Sequence, residues 1–172
     1  MIFVTVGTNE TRFDRLLSAV DALQLAEEVV VQRGPSSVAL REACVVDFLP
    51  FEVLVQEVRR ARVVVTHAGV GSVIVALSNN RRPIVMPRLA RHGEAVDDHQ
   101  LAFAQRFERA GLVTIVETAG ELADAVGSSE SGHVGVDLNG VLAAELRGYL
   151  EQCISGIPPD DSTGRPRRFR CR

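Results

Sequence analysis

The chain has 172 residues, a formal net charge of −3, 46% hydrophobic and 24% charged residues. That length suits one domain around one core. The acidic balance argues against a general nucleic-acid binder, whose surface is normally basic, and the basic residues, all of them Arg, read as a compositional bias rather than as chemistry.

Met1 leads directly into Ile2–Val6, an apolar run that reads as a buried strand. It lacks the positive region and the length of a signal peptide. Gly7-Thr8-Asn9 then turns the chain, with Thr8 or Asn9 as the expected cap of a helix. Phe13, Leu16, Leu17, Val20 and Leu23 follow on one helical face, with Arg12 expected in the first turn. Glu28–Gln32 is the second strand, closed by Gly34-Pro35, and Cys44–Phe48 is the third. Pro50 suits a first helical position, ahead of the stripe Phe51, Leu54, Val55, Val58. Arg62–Thr66 is the fourth strand, followed by His67-Ala68-Gly69-Val70-Gly71-Ser72 and a helix expected from Ser72 to Asn79, with Asn79-Asn80 as its stop. Pro83–Met86 is the fifth strand, Pro87–Val96 a polar loop, Asp97–Ala110 a helix ended by Gly111, and Leu112–Glu117 the sixth strand. Helical segments near Gly120–Val126 and Leu138–Gln152 complete a domain over residues 1–154. Residues 155–172 contain Pro158, Pro159, Gly164 and Pro166 before an Arg-rich end, and are expected to form a disordered basic tail.

Cys44, Cys153 and Cys171 are odd in number and widely spaced, which suggests neither a disulfide framework nor a zinc cluster, and a cytosolic setting is expected. No apolar run approaches the roughly 20 residues that span a bilayer. The strands are continuous apolar runs alternating with helices, so the expected fold class is α/β: a Rossmann-like parallel sheet with helices on both faces. Ligands in such sheets sit at the carboxyl ends of strands, near a switch in strand order.

Three loops there carry candidate chemistry. In His67–Ser72 a strand ends, glycines turn, and a helix begins. Its first N–H groups and the helix dipole favour an anion, Gly69 and Gly71 allow close approach, and Ser72 can cap the helix or donate to a phosphate oxygen. His67, ending the strand, can bond phosphate or sugar or carry a proton. A simple packing turn is the plain alternative. A third glycine of a dinucleotide fingerprint is replaced by Ile74, and no acidic residue closes the second strand, which argues against an oxidoreductase. A nucleoside-triphosphate loop needs a Lys that the chain lacks. Arg88 to Gln100 is dense in directional hydrogen-bonding groups, with Asp97 or Asp98 as helix caps and His99 and Gln100 in the first turn. A metal site from His92, Glu94 and His99 is not specified by their spacing. The loop at Gly7-Thr8 offers a second phosphate contact.

The ordered set Thr5-Val6-Gly7-Thr8, Phe13-Asp14-Arg15-Leu16, His67-Ala68-Gly69-x-Gly71-Ser72, Pro83-Ile84-Val85-Met86-Pro87-Arg88, Gly93-Glu94 and Asp98-His99-Gln100 resembles the carboxyl-terminal domain of glycosyltransferase family 28. More narrowly, it resembles the small stand-alone subunits of dolichol-linked UDP-N-acetylglucosamine transferases and bacterial exopolysaccharide enzymes. The likeness covers about Met1 to Glu117. It implies the donor-binding half of a GT-B fold, and an enzyme: a UDP-sugar-dependent, inverting, metal-independent hexosyltransferase with no cofactor. It implies partners too: a membrane-anchored subunit supplying the acceptor half, and a lipid-linked saccharide acceptor at the cytoplasmic face of the membrane. By position, Gly7, Thr8, Gly69, Val70, Gly71 and Ser72 would hold the diphosphate, Phe48 and Leu49 the uracil, and Asp98, His99 and Gln100 the sugar. His67 is the in-chain candidate for a catalytic base. Many members carry a ribose-binding Glu three residues after the loop Ser, where this chain has Val75. Glu94 is the candidate substitute, and GlcNAc, Glc and Gal all remain open as the donor sugar. The alternative is a non-catalytic nucleotide-sugar-binding module.

Overall fold

The computed structural model describes residues 1–23, 26–129 and 138–155. Six strands form one parallel sheet in the order β3-β2-β1-β4-β5-β6: β1 (Ile2–Thr5), β2 (Val29–Gln32), β3 (Cys44–Val46), β4 (Val63–His67), β5 (Ile84–Met86) and β6 (Thr114–Ile115). The order reverses between β1 and β4, which pair in register as Ile2 with Val63 through Thr5 with Thr66. A crevice therefore opens at the carboxyl ends of these two strands. Ser155 closes the last helix, and the remainder of the expected tail, residues 156–172, lies outside the described residues.

Both faces of the sheet are apolar because alternate strand residues point to opposite sides. Ile2, Val4, Val29, Val31, Val63, Val65, Ile84 and Met86 point to one face, under α1 (Asp14–Asp21) and α5 (Ala119–Ser128), which contribute Leu16, Leu17, Val20, Leu122 and Val126. On the other face Phe3 and Val64 pack on Val58 of α2 (Phe51–Arg60) and Ala76 of α3 (Val70–Ser78). Val85 packs there with Leu77, and with Phe103 and Phe107 of α4 (His99–Arg109). The helix α6 (Leu138–Ser155) lies outside α4, where Arg106 bonds Glu145 at 2.6 Å and Tyr149 meets Phe103 edge-on.

Several helix starts differ from the sequence expectation. Neither Thr8 nor Asn9 caps α1. Asn9 instead accepts the Thr11 amide in a local turn, Phe13 occupies the cap position, and its N–H donates to the Ser36 hydroxyl at 2.7 Å. Arg12 consequently precedes the helix and pairs with Asp14. Pro50 stands at the cap of α2 rather than inside it. The helix α3 begins at Val70, two residues early, because Gly69 takes the extended cap conformation. Ser72 therefore lies within the first turn and caps nothing. Asp98 is at the cap of α4, but its side chain makes no cap bond to the helix. Its carboxylate accepts the Ala90 amide instead, and Asp97 accepts the His99 amide. The expected stop after α3 is present: Asn80 adopts a left-handed conformation (φ 56°), the conformation that commonly ends helices.

Candidate functional site

At the switch point β1 gives way to Val6 and Gly7, and β4 ends on His67. The His67 imidazole is 8% exposed and lies between two glycines from different loops. A Cβ on Gly7 would stand 2.3 Å from its Cε1, and one on Gly69 would stand 2.1 Å from its Nε2. Gly7 also has φ 79°, a conformation few side chains accept. For Gly69 the reason for glycine therefore shifts: the volume a side chain would need holds the His67 ring. Gly71 is different, since an added Cβ there meets nothing within 4 Å. Its bare backbone faces open space in the first turn of α3.

Burial and the nearby Arg88 guanidinium push the His67 imidazole down to about 4, against the pull of a hydrogen bond with the Thr5 backbone. The ring is neutral at physiological pH, with Nδ1 also 3.3 Å from the Thr66 hydroxyl. A neutral imidazole offers one donor and one acceptor rather than a second positive charge.

A hydrogen-bonded frame fixes these loops. Gln32, the last residue of β2, donates to the Thr5 hydroxyl (3.0 Å) and the Gly7 carbonyl (3.3 Å), while its own carbonyl oxygen accepts the Leu49 amide (3.0 Å). The Gly7 amide donates to Thr5 Oγ1. Gln32 thus joins the loops after β1 and β3. Phe48, 54% exposed, lies beside Gly34, whose added Cβ would be 3.9 Å from its ring and 2.9 Å from Val6. Leu49 is half-buried against the Phe3 layer.

Across the crevice, the chain after β5 is held by charge. Arg15 grips Glu94 through two nitrogens (2.9 and 2.8 Å) and also donates to the carbonyls of Pro87 and Glu117. The Leu89 amide donates to the same carboxylate at 3.1 Å. Both Glu94 oxygens are therefore engaged within the chain, and the residue is buried. Gln100 accepts the Arg88 amide at 3.2 Å. His99 is exposed and pairs with Asp97 at 2.5 Å. Val75, in the place of the family's Glu, is half-buried with Leu54 against the Phe3–Val64 layer. Among the described residues no group of three or more His, Cys, Asp or Glu is placed to hold a metal ion, and no helix is long and apolar enough to cross a membrane.

The sequence gives roles to Gly7, His67, Gly69 and Glu94; it shows Thr5, Arg15 and Arg88 only as members of motifs, with no supporting role, and Gln32 only as the end of a strand. Gln32 and Arg88 each carry a polar group at the end of an otherwise apolar strand region, which is the one local signal that marks them.

Fold and face together define a doubly wound α/β domain whose polar loops converge on the strand-order switch. Comparison with known proteins places it more narrowly: the model of the glycosyltransferase family 28 C-terminal domain matches residues 1–131, and the chain belongs to that family. The glycotransferase of kitacinnamycin superimposes with a TM-score of 0.60 at 21% identity, over 86% of this chain and 39% of that one. CalG4, the calicheamicin glycosyltransferase, gives 0.55 at 16% identity, over 90% and 39%. The chain thus spans about two fifths of each of these proteins, matching the fold of one GT-B half. No curated protein matches its sequence.

Proposed function

We propose that this chain is the donor-binding half of an inverting, metal-independent hexosyltransferase. It would take GlcNAc, Glc or Gal from a UDP-sugar and pass it to a lipid-linked saccharide. A membrane-associated subunit would supply the acceptor half and recruit the chain to the cytoplasmic face of the membrane. The observation that carries this reading is the convergence of the family's two glycine loops, Gly7-Thr8 and Gly69–Ser72, at the switch point around a neutral His67.

The chemistry follows from that arrangement. Departure of a nucleoside diphosphate develops negative charge on its bridging oxygen, and preorganised donors stabilise it. The amides of Val70, Gly71 and Ser72 precede the first helical bond of α3, from Val73 to Gly69, and supply such donors at the positive end of the helix dipole. The bare backbone at Gly71 lets a phosphate approach. Phe48 and Leu49 would flank the uracil, while Asp98, His99 and Gln100 read sugar hydroxyls. His67, nearly closed off between Gly7 and Gly69, suits a hydrogen-bonding role to the diphosphate, which leaves the partner as the source of a catalytic base. Glu94 supports the loop rather than the ribose.

One observation favours a second reading, a non-catalytic nucleotide-sugar module: Val75 packs into the apolar layer, so α3 offers the ribose no carboxylate there. Calorimetry of the chain with UDP and UDP-sugars, alone and with the acceptor subunit, tests the donor site. Binding is expected, and none even with the partner present would end the proposal. Turnover by the pair that is lost in His99→Ala and Gln100→Ala would exclude the non-catalytic module.

A further inference from the structure

Arg88 follows Pro87 at the end of β5 and is fully buried. Its Nη1 donates to the carbonyls of Arg12 (3.0 Å) and Glu94 (3.4 Å), and its Nη2 donates to that of Val6 (3.2 Å). Val6 and Arg12 bracket the loop that carries Gly7 and Thr8. One guanidinium therefore grips both ends of that loop, 82 and 76 residues away in sequence. The Phe13 ring covers it, with its carbon 4.5 Å from the ring centre.

No carboxylate accepts a hydrogen bond from this buried cation among the described residues, and its Nε has no partner there. The nearest acid in its environment, Glu94, is bound through both oxygens to Arg15. Arg15 and Arg88 thus share the one carboxylate of Glu94. A buried charge costs free energy unless something answers it, and an apolar side chain of similar volume would fill the space without that cost. Carbonyl dipoles and a ring face answer part of it and leave net positive charge under the crevice.

We propose that Arg88 is a positioning residue of the donor site, clamping the Gly7-Thr8 loop at both ends and holding a partly compensated positive charge beside His67 to which a diphosphate is drawn. This rests on the donor-site reading above. Arginine is suited to both tasks because its planar fork reaches several carbonyls at once and does not lose its proton, whereas lysine keeps the charge but cannot span both ends. The same charge acts on His67, which faces Arg88, the Thr66 hydroxyl and the Thr5 backbone. After burial, which is the larger cause, it discourages protonation of the ring, so the site holds one buried cation rather than two.

The test compares Arg88→Lys and Arg88→Met in the full chain, with folding checked by circular dichroism. Calorimetry uses UDP and uridine as probes, and imidazole NMR follows His67 through a pH titration. Arg88→Met is expected to weaken UDP at least tenfold while changing uridine less than twofold, and to raise the His67 midpoint. Arg88→Lys is expected to recover part of the UDP affinity and leave the midpoint near the wild-type value. Equal losses for UDP and uridine in both variants, or an unmoved His67 midpoint in Arg88→Met, would overturn the proposal. If Arg88→Met does not fold, Arg88→Lys decides alone: a midpoint raised to the ordinary histidine value overturns it, and an unchanged one supports it. Absence of UDP binding by the wild type even with the acceptor subunit present overturns the donor-site reading instead, and the His67 midpoint still tests the charge.

Discussion

The two ends of the sheet handle buried charge in opposite ways. At the amino end the Glu27 carboxylate binds the Met1 amino group at 2.8 Å and the Arg62 guanidinium, and Arg62 also donates to the Val126 and Ser129 carbonyls at the end of α5. Each cation there meets a carboxylate, and the two hold the Glu27 carboxyl down at about 2. At the carboxyl end Arg88 hydrogen-bonds carbonyls under a ring and no carboxylate, Glu94 being held by Arg15, while His67 beside it is kept neutral. A closed ion cluster holds strands and helices together. A buried arginine that no carboxylate hydrogen-bonds leaves positive charge for an anion to answer. The two ends together teach that charge at an element's end indicates a ligand only where its partners run out.

Gly69→Ala should be the most damaging change, because its Cβ would fall on the His67 ring. Overpacking of this kind costs about 3 kcal/mol, read as a lowered denaturation midpoint together with loss of UDP binding. Next comes acid. His67 takes a proton in the folded chain only as pH nears about 4, whereas in the unfolded chain it does so near the ordinary histidine value of 6.5. Stability should therefore fall by about 3 kcal/mol between those values and level off below them. His67→Gln should flatten that window when urea unfolding is measured across pH.

Glu27→Gln tests the other end. It should lower stability by about 2 kcal/mol near neutral pH through loss of charge-assisted bonds, and it should remove the further loss expected as pH falls from 4.5 to about 2. UDP binding should be unchanged, as measured by calorimetry. The smallest effect on stability belongs to Gly71→Ala. Nothing within the chain opposes the added carbon, and alanine is the better helix former by roughly 1 kcal/mol. The variant should unfold at an equal or higher temperature while losing UDP affinity, so a destabilised variant would mean that Gly71 serves packing.

Much of the fold was legible because each strand is an apolar run and each long helix a periodic one. Strand ends were over-read where flanking apolar residues do not pair: Phe48 follows β3 but faces outward, and Leu112 and Val113 pack on α4 before β6 begins. The start of α3 was misjudged because Ser72 looked like a cap, whereas Gly69 reaches the extended conformation without a side chain to collide with His67. The glycine loops and His67 were visible as motifs. Their support was not, since the contacts of Arg15 with Glu94 and of Arg88 with Val6 join residues 79 and 82 positions apart. No local pattern encodes such pairings. The tie of Asp98 to Ala90 was hidden because an Asp just ahead of a helix reads as its side-chain cap.

Backbone amide NMR of the chain titrated with UDP locates the donor site on the molecule. Shifts are expected at Gly7–Asn9 and Gly69–Ser72, with Glu27, Arg62 and Val126 at the opposite end unmoved. Shifts confined to the amino end, or none at the two glycine loops under saturating UDP, would contradict that placement.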